Sequence, residues 1–461
     1  MVAQLRKVLG WSATLLVALA LRTAAAQQSP APPAPAQSPS SSLADILKGH
    51  NARRLHILYV HGIGDDGPTD RDSYYLRRGM CETLRCDHAH RDGDEIQAPV
   101  FANTGQFRAN STPPPLTFLG QPVFPVDASG HSEMWDASAP FFRRYRLTPA
   151  EGQPVYVDEI NWWPLVFAVK CRDMVAADAT LLGADKTNLT NCTQPKVQDP
   201  VTGHFSSYPF ISQAEAAQLL AIPKQGAAIN RAVKNSIMDW RFTDAVLSLG
   251  PMRQLLLDGL QQLIQLAVPL PPDPTLDPSQ PQEFVIVTHS LGSYLIFAAL
   301  DTSPLTSSQT SSPAAPYDFS YVLKHTSRVY FLANQLRLLE MANLDLATSS
   351  NLSQHLTAWV NARKEMFGST GPQDEPLAQI VAWNDPSDLL TWEVPQICGI
   401  SVENHSVKNS FSWFGLIESP TKAHDYYGLN KRVVHEMLHA EERPTPVPPC
   451  PSAAPTPAAQ P

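Results

Sequence analysis

The chain has 461 residues, of which 43% are hydrophobic and 17% are charged, and its formal net charge is −9 at pH 7. This composition fits one large globular domain or two smaller ones and excludes disorder for most of the chain. The negative charge comes without long blocks of one sign, which argues against nucleic acid or an anionic membrane surface as a main partner.

The first 26 residues have the layout of a cleavable secretory signal. Arg6 and Lys7 precede an apolar stretch at 8–21, and alanines follow at 24–26. The stretch is shorter than the roughly 20 residues that a spanning helix needs. We therefore predict cleavage and export, to the periplasm or as a secreted protein, with no stable membrane span afterwards; an uncleaved anchor is the alternative.

Two segments are predicted to lie outside the folded domain. Pro, Ala, Ser and Gln dominate residues 27–42, and Pro and Ala dominate residues 443–461. Such stretches cannot bury enough apolar area to offset the entropy that ordering costs. We expect a linker, a folded domain at about 43–442, and a tail.

Short apolar runs predict buried strands, and helical patterns separate them. The runs lie at 55–60, 155–160, 284–287, 329–333, 379–383 and 397–402. Residues 252–267 and 429–438 carry apolar stripes at helical spacing. Strands that alternate with helices predict an α/β fold, in which helices cover both faces of a mostly parallel sheet.

The region at about 164–282 has a looser pattern with mixed polar sequence and a Pro-rich end. We predict an inserted cap or lid there. Long surface connections without a lid function fit the pattern equally well.

An even number of cysteines in an exported chain favours disulfides over free thiols. The least entangled pairing joins Cys81 to Cys86, Cys171 to Cys192, and Cys398 to Cys450. Metal-ligand types occur together at 86–95, but a disulfide at Cys86 would leave that segment a solvated polar loop, and we predict no metal.

The stretch Thr288-His289-Ser290-Leu291-Gly292 is a polar interruption between a buried strand and a predicted buried helix at 291–300. A serine at such a turn stands above the carboxyl ends of the strands, beside the unpaired N–H groups of the helix N-terminus. We predict that Ser290 is a nucleophile. Thr288 replaces the first glycine of the usual G-x-S-x-G pattern, so we expect either that the turn opens slightly or that the Thr288 hydroxyl finds a backbone partner. The alternative is an ordinary junction whose serine caps the helix.

The first predicted strand runs directly into His61-Gly62-Ile63-Gly64. A glycine-flanked loop at this place can point a free N–H inward as part of an oxyanion hole. The predicted donors are the backbone amides of Ile63 and Leu291; the alternative is a simple tight turn.

A serine nucleophile needs a base and an orienting carboxylate. Asp385 and Asp388 both follow the strand at 379–383. We favour Asp388, because Asp385 directly precedes a proline and suits a structural turn.

His424 is the predicted base, since it lies just ahead of the last amphipathic helix. His405, at the end of the preceding strand, and His435, inside the helix, are rivals. Aromatic residues at 162–167 and 411–414 fit either an apolar acyl pocket or the core.

In these segments the chain resembles the α/β-hydrolase superfamily, and more specifically its lipase- and esterase-like members. The matching segments, in the family's order, are 55–64, 284–300, 379–390 and 423–438. The resemblance implies a triad of Ser290, His424 and Asp388 with an oxyanion hole from Ile63 and Leu291, and no metal or organic cofactor. It does not fix a substrate.

The expected protein is an exported serine hydrolase that cleaves a small-molecule or lipid carboxylic ester through an acyl-enzyme. One alternative is an amide or thioester hydrolase on the same scaffold, since the same groups serve any acyl transfer. The other is a non-catalytic binding protein with a hydrolase-like fold, which the threonine at 288 keeps open.

Overall fold

Parallel strands from distant parts of the sequence form the centre of the protein in a computed structural model. The structure describes residues 43, 54–62, 71–87, 93–96, 116–118, 120–152, 154–198, 205–228, 231, 234, 242–267, 282–301, 319–341, 356–368, 378–409 and 420–439. The predicted signal, linker and tail lie outside these residues, as does Ile63.

Twelve strands occur in the described part of the chain. They are β1 (Arg54–Val60), β2 (Asp94–Ile96), β3 (Thr117–Phe118), β4 (Gln121–Pro122), β5 (Phe141–Leu147), β6 (Val155–Asn161), β7 (Lys196–Gln198), β8 (Phe205–Ser207), β9 (Gln282–His289), β10 (Thr326–Leu332), β11 (Gln379–Asn384) and β12 (Ser401–Ser406). Eight of them form one sheet in the order β12-β11-β10-β9-β1-β6-β5-β2. The pairs from β12 to β6 are parallel, and the pairs β6–β5 and β5–β2 are antiparallel.

The helices lie between the strands. They are α1 (Arg71–Leu84), α2 (Glu133–Ala137), α3 (Pro164–Val169), α4 (Ala176–Leu182), α5 (Lys186–Thr193), α6 (Gln213–Leu220), α7 (Thr243–Leu249), α8 (Arg253–Ala267), α9 (Leu291–Asp301), α10 (Phe319–His325), α11 (Leu336–Glu340), α12 (Thr357–Phe367), α13 (Pro420–Asp425) and α14 (Lys431–His439). A π-helical segment, Lys170–Val175, joins α3 to α4, and a 3₁₀ turn, Tyr426–Leu429, joins α13 to α14.

Both faces of the sheet are buried because alternate strand residues point into two separate apolar cores. Phe284 and Ile286 of β9 belong to the core that α8, α9, α10 and α12 cover. Val285 and Val287 belong to the core that α1 and α14 cover. This alternation explains why the sequence of β9 is apolar without a break. The prediction of an α/β fold with a mostly parallel sheet is confirmed in this form.

The strand predicted at 397–402 is wrong at its start. The strand begins only at Ser401, because Cys398 and Gly399 form a turn in which Gly399 has a φ of 76°. A positive φ does not fit an extended strand. The remaining five predicted strands overlap β1, β6, β9, β10 and β11.

The sequence prediction missed β5, whose sequence is FFRRYRL. Three arginines in seven residues do not resemble a buried strand. The strand is nevertheless largely buried, and Arg144 is only 2% exposed. The positive charge of Arg144 is paired with a carboxylate on β6. The sequence around Arg144 does not reveal this partner.

The region predicted as a cap or lid begins with helices α3 to α7. The apolar stripe predicted at 252–267 forms α8, which packs against β5, β6 and α9. A lid function for this region stays a prediction.

Two of the predicted disulfides are present, Cys81–Cys86 and Cys171–Cys192. Cys398 is also disulfide-bonded, while Cys450 lies outside the described residues. The disulfide removes the thiolate of Cys86 as a metal ligand. Among the helices of the described ranges, none is both long and apolar enough to cross a membrane.

A buried ion pair fastens β5 to β6. The Nε and Nη2 atoms of Arg144 lie 2.6 and 2.8 Å from the two carboxylate oxygens of Asp158, and Nη2 also donates to the carbonyl oxygen of Ala267 at 2.6 Å. Both side chains of the pair are at most 2% exposed. The pair therefore joins the antiparallel edge of the sheet to the end of α8.

We expect Asp158→Asn to lower the free energy of unfolding by about 3–5 kcal/mol, because it removes the negative charge that faces Arg144 in the core. Asp94→Asn is the matched control, since Asp94 pairs with Arg146 at 3.8 Å and both side chains are more than a third exposed; its cost should be at most about 1 kcal/mol. Urea denaturation measures both. Equal effects of the two substitutions would contradict this view of the pair.

Candidate active site

The register of the central strands brings four loops to one edge of the sheet. Thr288 of β9 is opposite Val60, the last residue of β1, and His289 is opposite Leu332, the last residue of β10. Leu332 is in turn opposite Trp383 of β11. The carboxyl ends of parallel strands lie at the same edge, so the residues that follow β1, β9, β10 and β11 are neighbours there.

Ser290 forms the turn between β9 and α9. Its φ is 53°, in the left-handed region that residues with a Cβ rarely adopt. The backbone N–H of Ser290 donates to the carbonyl oxygen of Leu332 at 2.9 Å, and the N–H of Ser293 donates to the carbonyl oxygen of Ser290 at 3.1 Å. The neighbouring strand and the first turn of the helix thus hold the strained residue.

Two glycines let the chain pass closely at this turn. A Cβ on Gly62 would lie 2.5 Å from the Cβ of Ser290, and one on Gly292 would lie 2.5 Å from the carbonyl oxygen of Val60. Thr288, which replaces the usual glycine, is fully buried, and its hydroxyl donates to the carbonyl oxygen of Tyr330 at 3.3 Å. Of the two ways in which a threonine was expected to fit this position, the structure shows the one in which its hydroxyl has a backbone partner.

The structure places Ser290, His424 and Asp388 in one connected line. The Nε2 atom of His424 lies 2.9 Å from the Oγ atom of Ser290. Its Nδ1 atom lies 2.9 Å from the Oδ2 atom of Asp388. These separations match those of a nucleophile, a base and an orienting acid. Ser290 is 1%, Asp388 5% and His424 8% exposed, so bulk water competes little for the hydrogen bonds.

The two candidate acids have different partners. Asp388 faces His424, and its Oδ1 atom accepts from the backbone N–H of Leu390 at 2.9 Å. The carboxylate of Asp385 instead accepts from the backbone N–H groups of Ser387 at 2.8 Å and Asn409 at 2.6 Å. Asp385 therefore shapes the loop that carries Asp388.

Tyr427 joins the two acidic residues and was not predicted. Its hydroxyl donates to the Oδ2 atom of Asp388 at 3.4 Å and accepts from the backbone N–H of Asp385 at 2.7 Å. Burial, and then the charge of Asp388, raise the pKa of Tyr427 well above its usual range, so the hydroxyl keeps its proton. Its position one helical turn after His424 was a signal in the sequence.

Gln335 also contacts the nucleophile and was not predicted. Its Nε2 atom donates to the Oγ atom of Ser290 at 2.9 Å. Gln335 follows β10 by three residues and is 2% exposed. The available signal was a polar residue just past a buried strand, but nothing local indicated where its side chain points.

His289 holds the backbone of His424, the predicted base, through a hydrogen bond. Its Nε2 atom lies 2.8 Å from the carbonyl oxygen of His424, which can only accept, so Nε2 carries the proton. His289, His424 and Asp425 have potential metal-ligand atoms within 4.8 Å of one another. Both ring nitrogens of His424 already have hydrogen-bond partners, Asp388 and Ser290. A metal ion bound to His424 would therefore compete with one of these two hydrogen bonds.

His61 is a buried neutral histidine in the predicted oxyanion loop. Its ring stacks on Trp162 at 5.1 Å, and its Nδ1 atom donates to the carbonyl oxygen of Gly62 at 2.8 Å. Burial lowers the pKa of His61 from 6.5 to about 4, against the hydrogen bond to Gly62, which raises it. The ring is therefore uncharged near neutral pH.

Of the two predicted oxyanion donors, Leu291 lies within the described residues. Leu291 is the first residue of α9, so its N–H belongs to the first turn, whose donors have no partner within the helix. Ile63 lies outside the described residues, one position after Gly62. Its role as a donor stays a prediction.

The rival histidines lie elsewhere. His405 contacts Glu403 at 3.4 Å and Glu436 at 3.7 Å, and His435 is exposed on α14 next to His439. The aromatic residues at 162, 163 and 167 are buried in the core, and those at 411–414 lie outside the described residues.

No protein-family model matches the chain, and neither do curated proteins or solved structures. The interpretation of the site therefore depends on its geometry.

The free energy of unfolding should fall as the pH decreases from about 6.5 to 4. In this window the unfolded chain binds a proton at His61 that the folded protein does not, because the folded pKa is the lower one. The full contribution is about 3 kcal/mol. Urea denaturation at several pH values measures it. His61→Gln should reduce this dependence, the exposed control His435→Gln should not, and an unchanged dependence in His61→Gln would contradict the assignment.

Proposed function

We propose that the protein is a serine hydrolase of the α/β-hydrolase superfamily that cleaves carboxylic esters through an acyl-enzyme. One observation carries the proposal, namely the buried line from Asp388 through His424 to Ser290, with both separations at 2.9 Å. The left-handed serine between a parallel strand and a helix supports it further.

In the proposed reaction, the Oγ atom of Ser290 attacks the ester carbonyl carbon while His424 takes the hydroxyl proton at Nε2. His424 then returns this proton to the departing alkoxide, which leaves an acyl-enzyme. Water attacks the acyl carbon with His424 as the base, the bond from the acyl carbon to Oγ breaks, and Ser290 regains its proton. Asp388 holds the Nδ1–H and stabilises the imidazolium.

The negative charge that develops on the carbonyl oxygen needs fixed donors. The N–H of Leu291, at the start of α9, supports this part of the proposal, and Ile63 is the proposed second donor. An ester demands less of these groups than an amide does, because an alkoxide leaves more readily than an amide nitrogen. We expect short esters to be cleaved faster than matched amides or peptides in a comparative assay.

Export is part of the proposal. The two disulfides, Cys81–Cys86 and Cys171–Cys192, fit an oxidising compartment. Mass determination of the N-terminus of the protein recovered from outside the cytoplasm tests for cleavage near residue 26.

A small fluorophosphonate should label the protein at Ser290, because the line of hydrogen bonds activates that hydroxyl. Ser290→Ala should abolish labelling and lower the turnover number by a factor on the order of 10⁶. Ser207→Ala, which removes an exposed serine on β8, should leave both unchanged. A protein that resists the probe while a known serine hydrolase reacts would instead be a non-catalytic binding protein.

Asp388→Asn and Asp385→Asn should separate the two acids. The first should lower the turnover number by a factor on the order of 10⁴, because asparagine does not hold the required tautomer of His424. The second removes one acceptor from the loop, so it should mainly cost about 1 kcal/mol of stability. Steady-state kinetics and urea denaturation measure the two effects, and the reverse ranking of turnover would assign the acid to Asp385.

A further inference from the structure

We propose that Gln335 is a catalytic residue. Its amide N–H directs the proton of the Ser290 hydroxyl toward His424, and it remains hydrogen-bonded to Oγ when that oxygen later leaves the acyl group. This inference rests on the proposed function. It follows from the contact between the Nε2 atom of Gln335 and the Oγ atom of Ser290, at 2.9 Å.

Proton bookkeeping at the serine oxygen supports this role. A hydroxyl has one proton to give and two lone pairs. The amide nitrogen of Gln335 can only donate, so it occupies one lone pair and cannot accept the hydroxyl proton. Asp388 accepts from the Nδ1 atom of His424, which leaves Nε2 of His424 as the acceptor. Only one arrangement of protons satisfies all three contacts, and it is the one ready for attack.

The position of Gln335 separates it from the oxyanion hole. In the sheet, β9 lies between β1 and β10. The loop with Gly62 follows β1, whereas Gln335 follows β10. The glutamine therefore reaches Ser290 from the loop after β10, on the other side of β9 from the loop with Gly62, and its hydrogen bond is made to the nucleophile oxygen.

The backbone around Gln335 is held in a strained turn. Ala333 has a φ of 52°, a left-handed conformation that costs about 1–3 kcal/mol in a residue with a Cβ. The side-chain amide of Asn334 donates to the Oδ1 atom of Asn384 at 2.8 Å and to the carbonyl oxygen of Trp392 at 2.7 Å. These bonds fasten the turn to the loop that carries the proposed acid.

A second contact ties Gln335 to the serine turn itself. Its backbone N–H donates to the Oγ atom of Ser293 at 3.3 Å, and the Ser293 hydroxyl donates to the carbonyl oxygen of Ser290 at 2.5 Å. Main chain and side chain of Gln335 thus both bind the nucleophile turn. Such double attachment fixes the donor before substrate arrives.

The same donor has a use in deacylation. Water gives a proton to the Nε2 atom of His424 as its oxygen bonds to the acyl carbon. The bond from that carbon to the Oγ atom of Ser290 then breaks, and His424 returns the proton to Oγ. The hydrogen bond from Gln335 stabilises the charge on the leaving oxygen without transferring a proton of its own.

Two substitutions at Gln335 and one control test the inference. Gln335→Met keeps the length of the side chain but removes the donor. Gln335→Glu keeps its size and replaces the donor with an acceptor when ionised. Gln261→Met is the control, because Gln261 is another buried glutamine whose Nε2 atom donates to a backbone oxygen, that of Ala299, at 3.2 Å.

The measurement is the second-order rate of labelling by a small fluorophosphonate from pH 5 to 8, on variants whose thermal unfolding shows that they are folded. Gln335→Met should react roughly 10-fold more slowly than the wild type at every pH. Burial raises the pKa of an introduced carboxyl, so the rate of Gln335→Glu relative to wild type should fall as the pH rises and the carboxylate takes the serine proton from His424. Gln261→Met should react like the wild type.

The outcomes separate this inference from the proposed function. Reactive wild type with Gln335 variants within about twofold of it at all pH values would overturn the role of Gln335 alone. Wild type that does not react overturns the proposed function and this inference with it. Should Gln335→Met not fold, the pH-dependent loss in Gln335→Glu, which keeps size and polarity, decides the question by itself.

Discussion

The site depends on one constraint, the parallel register of β1, β9, β10 and β11. Thr288 is opposite Val60, the last residue of β1, and His289 is opposite Leu332, the last residue of β10. Both strands that flank β9 therefore end beside Ser290. The hydrogen bond from the Ser290 N–H to Leu332 then holds the left-handed turn. A one-residue slip of β9 would turn its buried side chains to the other core and move the serine away from the histidine.

The proposed catalytic groups are held by a second set of contacts from separate elements. His289 holds the backbone of His424, Tyr427 contacts Asp388, and Gln335 contacts Ser290. All of these side chains are buried, so their hydrogen bonds act in a medium of low dielectric, where fixed dipoles count for more than in water. The strain at Ser290 persists because the surroundings determine the turn on several sides.

Local sequence predicts well those features that depend on residues near one another. The apolar runs of β1, β6, β9, β10 and β11 were recognised because a buried parallel strand needs apolar residues on both faces. β5 was missed because its arginines are neutralised or covered by other elements, as Arg144 is by Asp158. The start of β12 was misplaced because the turn at Gly399 depends on a single backbone angle.

The sequence by itself determined the alternation of strands and helices, the polar interruption at Ser290, and a short set of candidate acids and bases. Each of these features follows from the types and spacing of residues that are close together in the sequence. Only the tertiary structure decided that Asp388 and not Asp385 faces His424, and that Gln335 reaches the serine oxygen. The physical reason is that a hydrogen bond is set by distance and direction within a few tenths of an ångström. Groups 36 to 134 residues apart along the chain acquire that geometry only when the sheet forms.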